Sequence, residues 1–281
     1  MTATTQRLER SDAPTLFLRQ WPLANPRGRL VLVHGFGEHS GRYDHVAAAL
    51  NAAGFSVHAC DLRGHGESGG TRVFIERFDD YLDDVASLVA EVEATTGDQP
   101  AFLLGHSMGG QIAALYALQG QPPLVGVILS SPAMGFAVHV PAWKAAAGRF
   151  FSRFIPKLTL PSGLDRGLLS HDPRVKEELD ADPLAELGAT ARWYTECLGA
   201  QEAALAQAPD LSLPLLSLVS GADEITDAAA TRRFHEAAGS ADKSWIEYED
   251  MYHEIFNELD RQRVLADLCA WLGDQLDKAA Q

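Results

Sequence analysis

The chain is 281 residues long, 46% hydrophobic and 22% charged, with a formal net charge of −15 at pH 7. A chain of this length buries a sizeable core without staples, and this composition excludes an intrinsically disordered protein. The acidic balance, with no run of lysine or arginine, also excludes a polyphosphate partner, so no nucleic acid is expected.

From the amino terminus, a hairpin of Arg7–Ser11 with Thr15–Trp21 is predicted as an antiparallel edge. Short apolar runs then alternate with helical patterns. The sequence predicts a strand at Leu30–His34, a helix at Asp44–Ala53, a strand at Phe55–Cys60, a helix at Phe78–Thr95, a strand at Ala101–Gly105, a helix at Met108–Gln119 and a strand at Val125–Ser130. After an interruption the alternation resumes with a strand at Leu215–Ser220, a helix at Ala228–Ala238, a strand at Trp245–Tyr248 and a helix at Glu258–Asp277. The strands are continuously apolar, the pattern of strands buried on both faces, and strand–helix alternation indicates a mostly parallel sheet with helices on both sides.

The interruption, from about Phe136 to Leu187, contains no predicted strand, and prolines break its pattern. It reads as an insertion, dividing the chain into a core of residues 1–135 and 191–281 and a cap of residues 136–190. Within it, Pro141–Phe154 is predicted as a helix with Trp143, Ala147, Phe150 and Phe154 on one face and Lys144, Arg149 and Arg153 away from it. Trp143 and Phe150 are expected to line a site for an apolar chain, and the basic residues to allow peripheral contact with anionic lipid surfaces. The alternative is a face packed on the core. No apolar run reaches the roughly 18 to 20 residues that cross a bilayer. Met1–Arg10 is polar where a secretory signal needs an apolar stretch, so the expected location is cytoplasmic. Cys60, Cys197 and Cys269 are odd in number, far apart and without a CxxC pair, which suggests neither a disulfide framework nor a zinc site.

The pattern G-x-S-x-G occurs at Gly105–Gly109 and at Gly66–Gly70. A nucleophilic serine needs a sharp strand-to-helix turn with small neighbours, and the helix amino terminus aimed at developing negative charge. Ser107 follows the strand AFLLG directly and opens an amphipathic helix, whereas Ser68 sits in the loop RGHGESGGT with neither. An acid and a base must follow, each in a loop after a later strand. Asp223 lies just past LLSLVS and His253 just past WIEY. Asp227 and Glu224 rival Asp223, and His235 rivals His253; Asp227 is placed to cap the next helix, and His235 falls within it. Two amides should hold an oxyanion: Met108, after the nucleophile, and Phe36 in His34-Gly35-Phe36-Gly37. His34 ends a buried strand, which suits an orienting hydrogen bond.

Together HGFGEHSGRY (His34–Tyr43), DLRGHGES (Asp61–Ser68), GHSMGG (Gly105–Gly110), SGADEITD (Ser220–Asp227) and YHEIFNE (Tyr252–Glu258) resemble the monoacylglycerol lipase and lysophospholipase family over nearly the whole chain. The resemblance implies the α/β-hydrolase fold, with a mostly parallel eight-stranded sheet, helices on both faces and a helical cap inserted after the sixth strand. It implies a cofactor-free serine hydrolase cleaving esters of single-chain lipids, with Ser107, Asp223 and His253 as triad, Phe36 and Met108 as oxyanion donors, and Glu38 and Arg42 near the leaving alcohol. Read physically, Glu38 and Arg42 form either a polyol site or a salt bridge holding the loop. The chain departs from the animal enzymes at Thr226, where they carry cysteine, and at Phe256, where they carry histidine. Acyl-transfer machinery also serves carboxylesterases, thioesterases and aminopeptidases. A non-catalytic receptor on this fold would usually lack a triad member.

Overall fold

A computed structural model describes residues 3–97, 99–119, 124–137 and 142–279. Strands β1 (Thr4–Leu8) and β2 (Leu16–Trp21) form the amino-terminal hairpin. Its first strand runs from Thr4 to Leu8 rather than from Arg7 to Ser11, and it stops short of Arg10, whose guanidinium donates to the Pro14 carbonyl and to Asp84. There follow β3 (Gly28–Val33), α1 (Asp44–Ala52), β4 (Phe55–Asp61), α2 (Asp79–Thr96), β5 (Ala101–His106), α3 (Met108–Leu118) and β6 (Leu124–Ser130). After β6 come α4 (Ala142–Phe154), β7 (Thr159–Pro161), α5 (Pro173–Ala181), β8 (Gly188–Thr190) and α6 (Ala191–Gln207). The chain then returns through β9 (Leu215–Ser220), α7 (Ala228–Ala237), β10 (Lys243–Tyr248) and α8 (Arg261–Ala279).

The main sheet has eight strands in the order β1-β2-β4-β3-β5-β6-β9-β10, antiparallel up to the β2–β4 pairing and parallel from β4 onward. Both faces are covered. On β3, Val31 and Val33 point to a cluster that includes Val85 of α2, Ile112 of α3 and Phe234 of α7. Leu30 and Leu32 point to the opposite cluster, with Leu50 of α1 and Leu268 and Leu272 of α8. Each such side chain, fully removed from water, contributes about 1.5–3 kcal/mol. This two-sided burial explains why the strands read as unbroken apolar runs.

The insertion differs from its sequence reading in three ways. It contains a strand: β7 pairs antiparallel with β8, Thr159 opposite Thr190. It leads into α6, a helix the sequence reading did not anticipate. And α4 turns its aromatic stripe outward. The side of α4 that packs on α6 is carried by Ser152, whose hydroxyl meets Thr195 at 2.7 Å and whose carbonyl accepts from Arg192 at 2.9 Å. Trp143 and Phe150, expected over the acyl site, and Phe154 are consequently 69%, 57% and 62% exposed, so this face does not pack on the core. Pro141 and the side chain of Lys144 lie outside the described residues.

The segment between β6 and β9 is hydrogen-bonded to the loops that follow β3 and β10. The Glu186 amide donates to the Gly37 carbonyl at 2.9 Å, and the Glu254 amide donates to the Leu169 carbonyl at 2.7 Å. His39 meets Asp182 at 2.7 Å, and His171 meets Glu258 at 2.9 Å.

Candidate active site

At the carboxyl end of β5 the chain reverses into α3 through Ser107, whose φ of +54° and ψ of −119° lie where non-glycine residues rarely sit. The conformation is over-determined by its surroundings. The Ser107 amide donates to the Ser130 carbonyl at 2.9 Å, and the Ser107 carbonyl accepts from Gly110 and Ala133, both at 2.9 Å. Neighbouring side chains are excluded by contact: a Cβ at Gly105 would lie 2.0 Å from the Gly109 oxygen, and one at Gly109 would lie 2.2 Å from the Val33 oxygen. The glycines of the motif therefore allow strand, turn and helix to approach closely enough for the turn to exist.

Two loops from the far half of the sheet meet this serine. Asp223 follows β9, and His253 follows β10. The imidazole joins them, with Nδ1 2.7 Å from Asp223 Oδ2 and Nε2 2.9 Å from Ser107 Oγ. A carboxylate only accepts, so Nδ1 carries the proton and Nε2 accepts from the serine hydroxyl. Asp223 is fixed in turn: Oδ1 accepts from the Ile225 and Thr226 amides at 2.8 and 2.9 Å, and Oδ2 from the Thr226 hydroxyl at 2.8 Å. Thr226 thus supplies a hydroxyl donor to this carboxylate. Burial opposes ionisation of Asp223, but His253 and these donors hold its carboxyl below the usual range. Burial likewise opposes a charge on His253, yet Asp223 outweighs it and raises the imidazole above its ordinary 6.5.

Two of the rival groups are engaged elsewhere, and Glu224 is exposed. Asp227 accepts from the Ala229 amide at 2.8 Å as the cap of α7, and His235 meets the Ser217 hydroxyl at 2.9 Å within α7. Ser68 is buried and accepts from the Phe17 amide at 2.8 Å, so its glycine loop is locked onto β2. His34 is an orienting group: Nε2 accepts from the Leu62 amide at 2.9 Å, and Nδ1 donates to the Gly35 carbonyl at 2.7 Å. Among the described residues, the amides of Phe36 and Met108 have no hydrogen-bond partner. Met108 opens α3, where the first amides are left unsatisfied by the helix itself.

Glu38 and Arg42 belong to a buried charge network. Glu38 Oε1 accepts from the Gly35 amide at 2.6 Å and the Tyr43 hydroxyl at 2.7 Å, and Oε2 accepts from Arg42 at 2.7 Å. Arg42 also binds Glu254 in bidentate fashion, at 2.8 and 2.7 Å. The loop-holding reading fits these partners, since both charges are already matched. Against the cost of burial, Arg42 holds Glu38 at about 2 and keeps Glu254 below its usual range. Phe256 is buried in the apolar cluster under α8 and presents nothing polar to this network.

Sequence reasoning missed two members of the site. Glu254 lies 212 residues from Arg42, beyond any local pattern, although its place beside His253 marked the loop. His106 packs its ring 5.0 Å from that of His253, and burial pushes it down to about 4, so it stays neutral at pH 7.

This network predicts a pH-dependent stability. Glu38 binds its proton more weakly folded than unfolded, so its contribution is fully present above about pH 4.5 and is lost as pH falls toward about 2. Arg42→Ala strands two buried carboxylates and should cost about 3–5 kcal/mol in urea unfolding at pH 7. That difference from the wild type should shrink as the pH is lowered from 6 toward 3, and a difference independent of pH would contradict the assignment.

Comparison with known proteins agrees with this geometry. The model of the serine aminopeptidase S33 family matches residues 24–260. The chain is 33% identical to a monoacylglycerol lipase of Mycolicibacterium smegmatis, over 91% of each protein. It is also 33% identical to a phospholipase of Bacillus subtilis, over 87% of this chain and 94% of that protein. Among solved structures, a monoacylglycerol lipase of Paleococcus ferrophilus superposes with a TM-score of 0.85 at 33% identity, covering 92% of this chain and 99% of that one. A strained serine at the strand–helix turn, the relay through His253 to Asp223 and a match over most of the chain lead to one conclusion: the protein is an α/β hydrolase of the serine aminopeptidase S33 family.

Proposed function

We propose that the chain hydrolyses carboxylic esters of single-chain lipids, monoacylglycerols first among them, through an acyl-Ser107 intermediate. The observation that carries this reading is the continuous relay from Ser107 Oγ through His253 to Asp223, at 2.9 and 2.7 Å. In the first half-reaction His253 Nε2 takes the hydroxyl proton as Oγ attacks the ester carbonyl, while Asp223 holds the tautomer and stabilises the imidazolium. The Phe36 and Met108 amides donate to the developing oxyanion. His253 then returns the proton to the departing alcohol, and a water activated by the same nitrogen releases the fatty acid.

Ester chemistry is favoured over peptide chemistry by the charges nearest the histidine. Holding the ammonium of a peptide amino terminus requires a free carboxylate, whereas Glu38 and Glu254 are both occupied by Arg42. Aromatic pairs support an apolar acyl site: Phe36 lies against Trp193 at 4.6 Å, and Phe136 stacks on Tyr194 at 6.3 Å between ring centroids. The similarity to enzymes named monoacylglycerol lipase supports the glyceride, and that to a phospholipase keeps lysophospholipids as the second reading.

In this reading residues 136–190 form the cap, and the exposed stripe of Trp143, Phe150 and Phe154, with Arg149 and Arg153 beside it, docks on anionic lipid surfaces. No described helix is long and apolar enough to cross a membrane. The double change Arg149→Glu, Arg153→Glu should reduce co-sedimentation with phosphatidylglycerol vesicles while leaving hydrolysis of a short soluble ester intact; unchanged sedimentation would remove the docking surface.

Two kinetic outcomes test the rest. With Ser107→Ala as control, 1-monooleoylglycerol should exceed both p-nitrophenyl butyrate and oleoyl-lysophosphatidylcholine in kcat/KM; activity confined to the butyrate would reduce the enzyme to a simple carboxylesterase. Because catalysis requires neutral His253, kcat/KM should rise with pH through a midpoint above 6.5. In Asp223→Asn, kcat should fall about 10⁴-fold, with the midpoint displaced downward; a midpoint unmoved in that variant would detach the limb from His253.

A further inference from the structure

Glu254 is spent on neither the relay nor the acyl site, yet it adjoins the histidine in sequence and is 5% exposed. Its carboxylate takes both prongs of the Arg42 guanidinium, and Oε2 also accepts from Asn257 Nδ2 at 2.7 Å. The same guanidinium grips Glu38, whose other oxygen holds the Gly35 amide, one residue before the Phe36 amide. A chain of charge-assisted hydrogen bonds, each between 2.6 and 2.8 Å, therefore runs from the oxyanion loop to the loop that carries His253. Charged donors and acceptors at such distances make strong, directional bonds, and a planar guanidinium fixes two carboxylates in relative orientation as a lysine ammonium does not.

We propose that Glu254 is a positioning residue: through Arg42 and Glu38 it holds the oxyanion amide of Phe36 in register with His253. The proposal rests on the hydrolase reading above. Between them the two loops carry the general base and one oxyanion donor, and no backbone hydrogen bond joins them directly among the described residues. The Arg42–Glu254 pair links them through charge, beside a contact of His45 Nε2 with the Phe256 carbonyl at 2.8 Å, and a displacement of the order of 1 Å between such groups costs about 10²-fold in rate. The clamp also carries a net negative charge beside His253, because one guanidinium serves two carboxylates. The groups that face His253 are Asp223 from the loop after β9, His106 from β5, Glu38 and Arg42 from the segment after β3, and Glu254 itself. Neutralising Glu254 removes one negative charge from that set.

The test uses the full chain and p-nitrophenyl butyrate, a small ester that does not depend on a long acyl site. Glu254→Gln keeps the shape and loses the charge; Arg42→Lys keeps the charge and loses the fork. Both, checked for folding by near-ultraviolet circular dichroism, should lower kcat about 10- to 100-fold with KM within twofold of wild type. In Glu254→Gln the acid midpoint of kcat/KM should also move to lower pH, and Glu254→Asp should recover part of the lost kcat. If either folded variant retains kcat within twofold of wild type, the clamp is structural and the proposal is overturned. A rise in KM at unchanged kcat would overturn it in favour of substrate binding. A wild type inert toward every ester would instead overturn the hydrolase reading, and this proposal with it.

Discussion

Ser107 keeps its positive-φ backbone only because strand, turn and helix close on it from several sides. A serine at φ +54° is held there by four backbone hydrogen bonds, to Gly110 and Gln111 at the start of α3, to Ser130 on β6 and to Ala133, and by the close approach of Gly109 to the Val33 carbonyl. That contact sets how closely α3 approaches β3, and the approach in turn requires the two-sided apolar burial that keeps the sheet between its helices. The same turn points the hydroxyl out of the sheet at its carboxyl edge, where the loops after β9 and β10 arrive. Strain at one residue and burial across the sheet are thus parts of a single arrangement.

Charge is organised on two scales. The chain as a whole is acidic, with a formal net charge of −15, yet each of its buried acids beside the nucleophile has a cationic or hydrogen-bonding partner. Asp223 has His253 and three further donors, and Glu38 and Glu254 share Arg42. Removing a charge from water is costly unless it is paired and hydrogen-bonded, so these partners explain how the acids persist ionised against the histidine. Their effect on catalysis is indirect: they raise the imidazole and hold the loops on either side of the serine.

Much of this was legible in the sequence because it is local. Strands buried on both faces leave continuous apolar runs, as at Leu215–Ser220, and the strand–turn–helix context separates Ser107 from Ser68 without reference to distant residues. Chain order placed Asp223 and His253 in loops after the correct strands. What escaped is non-local or weakly patterned. Helix α6 is rich in alanine, which blunts its periodicity, although Thr190, which caps the Trp193 amide, was a readable start. Strand β7 is three residues long and ends on Pro161. The spacing of Trp143, Phe150 and Phe154 identified one face of α4 but not its direction, which is decided by Ser152 against Thr195 and Arg192. Glu254 gained its role only when folding brought it to Arg42.

Covalent labelling of the folded chain with a fluorophosphonate, followed by mass spectrometry of the modified peptide, shows whether Ser107 is the nucleophile. One adduct is expected, at Ser107, absent in Ser107→Ala and slowed by orders of magnitude in His253→Ala. A folded wild type that takes no label, or takes it at Ser68, would contradict that assignment.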